Sequence, residues 1–446
     1  MLYFIIQALL KGTVKVFFKN IQFHNKKAIP ANGPLIILAN HPSTFMDPIV
    51  IASLVNRKVY FLGKGELFKG FLAKIILNSL HVIPVYRAQD DPTQLNKNTD
   101  TFRKCYEHLE QGHAIIIFPE GVSVTERKLK PIKGGAAHIA LGAEGKNNFT
   151  LGVKVVNIGL NYENQHRFNQ DLFINTADAI EIRDYQTTYE TDKLKAIKTL
   201  TDDIKNQLES LVISIKDRQA DEFVKNIEQL YLSQLVTESE ANTTEAEKEF
   251  LFTKNIAKTV NYYAETNPEV YYNMRIRVHN YLQNINQLHL NDDAIKNKQN
   301  TSILGALVKL MIGFPVYFYG LINNVLAYEI PSWLATKIVK SKDYKGAIGM
   351  VLGMFSFIIF YYFQISFFYQ FTQHQLYTLL YGLSLPFTGF FAYYYWQYFI
   401  KINGSWQYLK LAKNKSKLIE NLQLERATIM LEFEKAKAVF FEQFPE

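Results

Sequence analysis

The hydrophobic residues between positions 34 and 160 occur in short runs, and longer stretches of mixed polarity separate these runs. The runs are Leu35–Leu38, Val59–Leu62, Val82–Val85, Ala114–Phe118 and Val153–Leu160. Short, β-branched runs are typical of buried strands, and their alternation with helical stretches is typical of a parallel sheet covered by helices. We therefore predict an α/β fold with a largely parallel central sheet flanked by helices for residues 31–186.

The segment before this domain, residues 1–30, is apolar apart from regularly placed lysines. Lys11, Lys15 and Lys19 recur at four-residue spacing, so a helix would carry them close to one stripe. This pattern predicts an amphipathic helix that lies on an anionic membrane surface, although a helix packed on its own core has the same pattern. The segment has no basic leading region and no small-residue cleavage site, so we do not predict a signal peptide.

Residues 187–300 have the three- and four-residue hydrophobic spacing of helices, and we predict a helical region without a catalytic role. Two aromatic pairs, Tyr262-Tyr263 and Tyr271-Tyr272, stand on its polar helices. They could line a groove for an acyl chain, but packing in a core is the favoured interpretation.

Residues 301–403 contain three long apolar runs and are predicted to be the membrane region. Gly346–Phe371 and Leu376–Ile400 lack charged residues and are separated by a short polar link, so they predict a hairpin of two transmembrane helices. Ile303–Ala327 contains Lys309 and Pro315, and we expect it to be re-entrant, broken near Pro315, or interfacial.

Basic residues flank the predicted hairpin on both sides and predict its orientation. They are Lys337, Lys340, Lys342 and Lys345 before it, and Lys410, Lys413, Lys415 and Lys417 after it. The positive-inside rule then places both ends of the hairpin on the cytoplasmic face. Residues 404–446 complete the chain as a charged amphipathic helix.

Composition narrows the classes of function. The chain is 48% hydrophobic with a net charge of +8, so it is not disordered as a whole, and its basic balance suits an anionic membrane or an acidic small molecule. Its aromatic residues are not interleaved with Lys and Arg, so a nucleic-acid partner is not expected. The single cysteine, Cys105, excludes a disulfide within the chain and a metal site built of cysteines.

The first candidate for chemistry follows the first predicted strand. Asn40-His41-Pro42 ends this strand, and Asp47-Pro48 has the form of a helix N-cap followed by proline. A histidine with a carboxylate in reach can remove a proton from an alcohol, because the carboxylate fixes the tautomer and stabilises the imidazolium. Taken by itself, the pair is also compatible with a structural histidine.

Further polar residues follow other predicted strands, where the carboxyl ends of a parallel sheet collect ligands. Arg87 ends the third strand and has the fork geometry that binds phosphate or carboxylate. Glu120, Gly121 and Ser123 follow the fourth strand; a carboxylate there needs a partner, and glycine lets the backbone approach a ligand. Lys133 precedes two glycines and a helix start, which suits an anion. A surface salt bridge and an incidental lysine are the alternatives for Arg87 and Lys133.

Three blocks together resemble the glycerolipid acyltransferase superfamily. They are Asn40-His41-Pro42 with Asp47-Pro48, Ile83-Pro84-Val85-Tyr86-Arg87, and Phe118-Pro119-Glu120-Gly121-Val122-Ser123. Lys130–Ala137, Gly159–Tyr162 and His166–Phe168 are similar to blocks of the branch that acylates glycerol-3-phosphate and dihydroxyacetone phosphate. The resemblance covers residues 30 to 180, and it departs from the family in one respect. Five residues instead of four separate His41 from Asp47, so the turn must absorb one residue if the carboxylate is to reach the histidine.

The resemblance implies an integral membrane enzyme that transfers a fatty acyl chain from an acyl-thioester, of coenzyme A or acyl carrier protein, to the sn-1 hydroxyl of glycerol-3-phosphate. His41 and Asp47 would be catalytic. Five residues would bind substrate: Arg87, Glu120, Gly121, Ser123 and Lys133. No metal and no other cofactor is implied, and membrane lipids are expected partners.

Two alternatives remain open. The alternative acceptor is lysophosphatidate or another lysophospholipid, because these lipids and glycerol-3-phosphate are all phosphate-bearing alcohols. A chain whose site has decayed would be a membrane lipid-binding scaffold without activity. The presence of both His41 and Asp47 argues against the scaffold, whereas their longer spacing keeps it open.

Overall fold

The computed structural model describes residues 2–87, 91–296, 303–339 and 342–444. Backbone contacts divide it into two compact units. The sheet unit comprises the chain up to Ser214 together with Thr243–Phe250 and Val339–Met350. The helical unit comprises Ile215–Asn242, Leu251–Ile338 and Val351–Glu446.

The sheet unit is built on one mixed, mostly parallel sheet. Its strands are β1 Phe18–His24, β2 Leu35–Ala39, β3 Val59–Lys64, β4 Val82–Val85, β5 Ala114–Ile117, β6 Lys154–Tyr162, β7 Gln170–Thr176 and β8 Ile180–Glu181. Their spatial order is β1-β7-β6-β2-β5-β3-β4, and β8 pairs with β6. β6 is antiparallel to β7 and β8, and the other pairings are parallel. The predicted α/β fold is confirmed.

The five predicted strands correspond to β2 to β6, but the prediction for residues 1–30 is only partly right. Helix α1 ends at Phe17, and the chain continues as the edge strand β1 beside β7. Lys19 therefore lies in a strand, where it pairs with Asp171 at 3.9 Å. The helix cannot continue because the Phe17 carbonyl accepts a hydrogen bond from Asn169 N, at 2.8 Å, where the chain enters β7.

Among the residues of this unit that the structure describes, the helices before Ser214 are α1 Leu2–Phe17, α2 Met46–Leu54, α3 Phe71–Ser79, α4 Asn98–Glu110, α5 Gly135–Lys146, α6 Gln186–Thr191 and α7 Lys193–Leu211. The hydrophobic stripe of α7 is buried in the same core as β2 and β5 through Ala196, Leu200, Ile204 and Leu208. The unit therefore extends to Ser214, beyond the boundary at residue 186 that the sequence predicts, because burial of this stripe joins α7 to the sheet.

The remaining elements are helical: α8 Arg218–Ile227, a π-helical turn Glu228–Leu232, α9 Ser233–Glu238, α10 Glu245–Thr266, α11 Pro268–Gln287, α12 Asp292–Lys296, α13 Ile303–Ile338, α14 Lys342–Thr372, α15 Gln375–Asn414 and α16 Ser416–Gln443. The first turns of α10 and α14 belong to the sheet unit. The predicted C-terminal helix at 404–446 begins later, at Ser416, because α15 is unbroken to Asn414.

A buried ion pair holds α16 to the earlier helices of the helical unit. Arg426 Nε lies 3.0 Å from each carboxylate oxygen of Asp292, and the Tyr281 hydroxyl donates to the same carboxylate at 2.6 Å. Arg426 also donates to the Leu230 carbonyl at 3.2 Å. Because a buried charge without its partner is costly, this network fixes α16 against residues on both sides of α11.

The helices α13 and α14 are long and apolar enough to cross a membrane, and 17% of each apolar window is buried. A core helix of a soluble protein would be mostly buried, which these are not. The predicted break at Pro315 does not occur, since α13 runs unbroken through Pro315 and Pro331. The reason is that a helix of this length can carry a proline with the loss of a single backbone hydrogen bond. Lys340, among the basic residues of the predicted flank, lies outside the described residues.

The helices α13 and α15 pack against each other in antiparallel fashion. The Tyr395 hydroxyl donates to the Leu310 carbonyl at 2.7 Å, and Asn324 Nδ2 donates to the Leu385 carbonyl at 3.2 Å. From α14, the Tyr361 hydroxyl donates to Asn324 Oδ1 at 2.6 Å. Amide and hydroxyl groups therefore join the three apolar helices, as polar residues do between membrane helices.

Candidate active site

The candidate residues lie where strands β2, β4 and β5 end. β2 ends at Ala39 and is followed by His41, whereas β5 ends at Ile117 and is followed by Glu120. These two strands are parallel neighbours, with Leu38 beside Ile117, so the turns that follow them meet at one edge of the sheet. β4 ends at Val85, two residues before Arg87.

His41 and Asp47 are in direct contact. His41 Nδ1 lies 2.7 Å from Asp47 Oδ2, and the same oxygen accepts a hydrogen bond from the backbone N–H of Ser43 at 2.8 Å. Met46 N donates to the Ser43 carbonyl at 2.7 Å, which closes a tight turn and absorbs the extra residue. Helix α2 thus begins at Met46 with Phe45 as its N-cap, so the prediction that Asp47 is the N-cap is wrong. The carboxylate is turned toward the histidine instead of capping the helix.

Two residues that the sequence did not single out complete the surroundings of this pair. The hydroxyl of Tyr162, at the end of β6, donates to Asp47 Oδ1 at 2.8 Å, and both side chains are buried. Burial, followed by the Asp47 carboxylate, raises the pKa of Tyr162 well above its ordinary value, so this hydroxyl stays a donor. The Phe118 ring stacks on the imidazole with centroids 4.0 Å apart. Tyr162 had two signals in the sequence, its place at the end of a strand and its place in the block Gly159–Tyr162.

Glu120 holds two turns together. Its carboxylate accepts hydrogen bonds from the backbone N–H of His41 at 2.7 Å and of Lys130 at 2.8 Å. The side chain is buried, and this burial raises the pKa of the carboxyl, while the two N–H donors act in the opposite direction. The partners that a buried carboxylate needs are therefore backbone N–H groups. Through the bond to His41 N, Glu120 fixes the position of the histidine.

Ser123 links the same two turns on their other side. Its Oγ accepts hydrogen bonds from Thr44 N at 2.8 Å and from the Thr44 hydroxyl at 2.9 Å. One residue later, Val124 N donates to the His41 carbonyl at 3.3 Å. The segment after β5 is thus bonded to both sides of the histidine turn.

Two cations converge on Gly121. Arg87 Nη1 donates to the Gly121 carbonyl, and a Cβ on Gly121 would lie 2.9 Å from Lys133 Nζ. Gly121 has a φ of 67°, in the left-handed region that favours glycine. The glycine therefore lets the guanidinium and the ammonium approach the turn beside Glu120, and it concentrates positive charge there.

The first turn of α14, which belongs to the sheet unit, lies beside the histidine turn. The Phe45 and Tyr344 rings are 5.3 Å apart, and Gln165 Nε2 donates to the Pro42 carbonyl at 3.4 Å. A Cβ on Gly346 would meet the backbone of Gln165 and His166, so α14 approaches closely. An aromatic, half-exposed surface thus adjoins the polar site.

All seven predicted site residues are therefore at one edge of the sheet: His41, Asp47, Arg87, Glu120, Gly121, Ser123 and Lys133. With Nδ1 donating to Asp47, the other ring nitrogen of His41 keeps an electron pair that can accept a proton. The arrangement combines an imidazole held by a carboxylate with two nearby cations. It suits proton removal from an alcohol that carries an anionic group.

Comparison with known proteins agrees with this chemistry. Residues 20–160 match the family model described as Acyltransferase. The chain is 26% identical to glycerol-3-phosphate O-acyltransferase 1 of Saccharomyces cerevisiae, over 53% of this chain and 42% of that protein. It is 28% identical to the 1-acyl-sn-glycerol-3-phosphate acyltransferase of Bacillus subtilis, over 29% of this chain and 58% of that protein.

Among solved structures, that of a 1-acyl-sn-glycerophosphate acyltransferase from Thermotoga maritima aligns with a TM-score of 0.34 and 19% identity, over 47% of this chain and 79% of the other. The chain spans less than half the length of the yeast relative and less than two thirds of the Bacillus relative. The family match covers the His41 turn, the Arg87 strand and the Glu120 turn. Residues 20–160 of the chain, which contain these three parts of the site, are thus similar to the acyltransferase family.

Proposed function

We propose that the protein transfers a fatty acyl chain from an acyl-thioester to the hydroxyl of a phosphorylated glycerol. The contact of 2.7 Å between His41 Nδ1 and Asp47 Oδ2 carries this proposal, because it turns the histidine into an oriented general base. His41 accepts the proton of the acceptor hydroxyl while the oxygen attacks the thioester carbonyl carbon. The carbon–sulfur bond then breaks, and the imidazolium returns the proton to the leaving thiolate.

The phosphate of the acceptor is assigned to the cationic side of the site. Arg87 and Lys133 both approach Gly121, which follows the carboxylate that fixes the histidine turn. A phosphate bound there would be held by charge-assisted hydrogen bonds, with the glycerol hydroxyl directed toward His41. Ser123, bonded to Thr44, borders the same pocket and contributes a hydroxyl.

We propose glycerol-3-phosphate, acylated at its sn-1 hydroxyl, as the acceptor. The relatives include a glycerol-3-phosphate O-acyltransferase and a 1-acyl-sn-glycerol-3-phosphate acyltransferase, so lysophosphatidate is the second candidate. The yeast match extends over the larger share of this chain and favours the first. Coenzyme A and acyl carrier protein are both proposed as carriers of the acyl group.

A transfer assay tests the proposal and separates the acceptors. The full chain, in nanodiscs, is supplied with radiolabelled palmitoyl-coenzyme A or palmitoyl-acyl carrier protein and with glycerol-3-phosphate, dihydroxyacetone phosphate or lysophosphatidate. The expected result is label on glycerol-3-phosphate, lost in His41→Ala. Transfer by His41→Ala at the unmodified rate contradicts the role of the histidine. No transfer to any acceptor by the unmodified chain supports the scaffold alternative.

We propose further that the apolar helices anchor the enzyme with an even number of membrane crossings. Because Arg426 on α16 forms a buried ion pair with Asp292, the segments before α13 and after α15 lie on the same side. Two of the three helices then cross, and the hairpin of α14 and α15 remains our assignment. The flanking lysines favour the cytoplasmic face for both ends and for the acyltransferase domain.

Reporter fusions distinguish the possible crossing pairs. With α14 and α15 crossing, a reporter after Ile338 is cytoplasmic, one at the Gln373 turn is extracytoplasmic, and one at the C-terminus is cytoplasmic. An extracytoplasmic reporter after Ile338 would mean that α13 crosses. The second crossing helix would then be α14 if the reporter at the Gln373 turn is cytoplasmic, and α15 if that reporter is extracytoplasmic. Reporters on opposite sides after Lys296 and at the C-terminus would contradict an even number of crossings.

A further inference from the structure

The helical unit contains a cavity that the proposed transfer reaction does not use. Its volume is about 510 Å³, and its walls come from α8, the π-helical turn, α9, α10, α11 and α16. Protein cores are close-packed with few voids larger than a water molecule, whereas pockets for small ligands have volumes of about 300–1,000 Å³. The volume is therefore that of a ligand site, larger than a packing defect.

The walls of the cavity are mostly aromatic and aliphatic. Phe223 of α8, Ile256 of α10, Met274 of α11 and Phe433 of α16 contribute one wall each. Tyr263 and Tyr271, one residue from each of the aromatic pairs in the sequence, also line it. Flexible methionine and planar rings adapt to a flexible apolar chain, and such a lining favours hydrocarbon over a polar metabolite.

A single charged residue is among the lining residues, Lys437 of α16. Its Nζ lies 3.6 Å from Glu434, one turn earlier on the same helix, and the two side chains are 42% and 46% exposed. Glu434 also accepts a hydrogen bond from the hydroxyl of Tyr231. Exposed ion pairs contribute little free energy, so an anionic group at the cavity can replace Glu434 as the partner of Lys437.

We propose that this cavity binds the acyl chain of a single-chain anionic lipid, with the lipid head group at Lys437. An apolar cavity with one ammonium matches a molecule with one hydrocarbon chain and one anionic end. A long-chain fatty acid and a monoacylated glycerol phosphate share this chemistry. The site lies in the helical unit, away from His41 in the chain, and its occupation does not require acyl transfer.

Photo-crosslinking of the full chain in phosphatidylcholine nanodiscs tests the site. The probe is palmitic acid with a photoactivatable diazirine at the end of its chain, and adducts are mapped by mass spectrometry. We expect adducts on peptides of α10, α11 or α16 that line the cavity, in the unmodified chain and equally in His41→Ala. Labelling that is confined to other parts of the chain overturns the proposal, whatever the fate of the transfer activity.

Two variants, with one control, test the apolar lining of the cavity and the charge of Lys437. Ile256→Trp fills the cavity and should abolish the adducts, and Lys437→Gln should lower their yield about threefold or more, since one ionic contact is lost. Lys435→Gln removes an exposed lysine of the same helix and should leave the yield unchanged. Equal labelling of all three variants overturns the site. If Ile256→Trp does not fold, Lys437→Gln and its control decide.

Competition with unlabelled lipids identifies which anionic lipid binds in the cavity and tests whether binding depends on the negative charge of the head group. Unlabelled palmitate and palmitoyl lysophosphatidate should both displace the probe at lower concentrations than hexadecanol, which has the same chain without a charge. The anion that displaces at the lower concentration is the better ligand, and either result supports the site. Displacement by hexadecanol at equal concentration contradicts a head-group contact with Lys437.

Discussion

The imidazole Nδ1 of His41 lies 2.7 Å from the carboxylate of Asp47, although five residues separate the two in the chain. The hydrogen bonds from Ser43 N to Asp47 Oδ2 and from Met46 N to the Ser43 carbonyl wind these residues into one tight turn. The turn starts helix α2 at Met46, so that its first turn carries the carboxylate back to the histidine. The longer spacing thus preserves the contact that a general base needs.

Asp47→Asn should lower kcat by roughly 10²–10⁴-fold, because an amide neither fixes the tautomer of His41 nor stabilises its imidazolium. The acyl-transfer assay with glycerol-3-phosphate measures this effect. Asp202→Asn, which changes an exposed carboxylate on α7, should leave kcat unchanged. If Asp47→Asn keeps full activity, His41 functions without the carboxylate.

Tyr162→Phe should reduce kcat about tenfold with little change in KM, because it removes one hydrogen bond of about 1.5 kcal/mol from Asp47 without touching the phosphate side. Tyr185→Phe is the matched control, since its hydroxyl donates to Asp203 at 2.6 Å on α7. An equal loss in both variants would indicate a purely structural effect.

Glu120→Gln should destabilise the domain by about 1–3 kcal/mol and reduce activity with it. Both carboxylate oxygens accept backbone N–H groups, from His41 and Lys130, and an amide nitrogen placed against one of these donors cannot accept. Thermal unfolding with and without glycerol-3-phosphate measures the loss. Glu126→Gln changes a half-exposed carboxylate paired with Lys130 Nζ at 2.6 Å and should cost much less. Equal losses would mean that Glu120 does not hold the turn.

Lys133→Gln and Arg87→Gln should raise KM for glycerol-3-phosphate by about tenfold or more while leaving KM for the acyl donor nearly unchanged. The reason is that each removes one cation from the turn at Gly121. Initial rates at varied acceptor and donor concentrations give both constants. Lys128→Gln, a basic residue of the same loop, serves as the control. A rise in donor KM alone would assign the cations to the thioester carrier.

A cluster of histidines at the opposite edge of the sheet predicts acid sensitivity. His81, His108 and His113 surround Tyr60 with ring centroids 5.0, 3.8 and 5.1 Å from it. Burial, with Lys58 next, lowers the pKa of His81 from 6.5 to about 4, and burial also lowers the pKa of the other two. Arg57 and Lys104 add to the positive field of the cluster, and Glu107 opposes it.

The sign of this effect follows from proton binding. Between pH 6.5 and about 4 the unfolded chain protonates His81 while the folded chain keeps it neutral, so the stability present above pH 6.5 falls as the pH is lowered through this window. We expect His81→Asn to flatten the fall in the unfolding midpoint between pH 7 and pH 4.5. His138→Asn, at an exposed position of α5, should not change the decrease of the unfolding midpoint over this pH range. Parallel curves for the two variants would contradict the role of the cluster.

The packing of α13 on α15 leaves no room at Gly320. A Cβ there would collide with the Thr388 carbonyl, whereas a Cβ at Gly353 of α14 meets nothing within 4 Å. Gly320→Ala should therefore lower the free energy of unfolding by about 1–3 kcal/mol, and Gly353→Ala should not. Denaturant unfolding in detergent micelles compares the two. Equal stability of both variants would mean that α13 and α15 are not in contact at this point.

The sequence alone predicts much of the sheet unit. Strands β2 to β6 are visible because each contains a short hydrophobic run bounded by polar residues or turns. Edge strands are harder to predict: β1 follows α1 without a break, and only its pairing with β7 makes residues 18–24 extended. The helix α7 looked like part of a separate region because periodicity reports one buried face and not the partner that buries it.

The candidate site, too, could be predicted from the sequence only in part. The sequence determined which groups stand at the ends of strands, since Arg87, Glu120 and His41 each follow a run of hydrophobic residues that parallel pairing brings to one edge. Only the tertiary structure decided that Asp47 turns away from the helix cap toward His41, and that Tyr162 joins it from β6, 115 residues along the chain. Local patterns encode burial and backbone direction, whereas a contact between distant side chains depends on how the elements pack. For that reason the residue types could be predicted from the sequence and their partners could not.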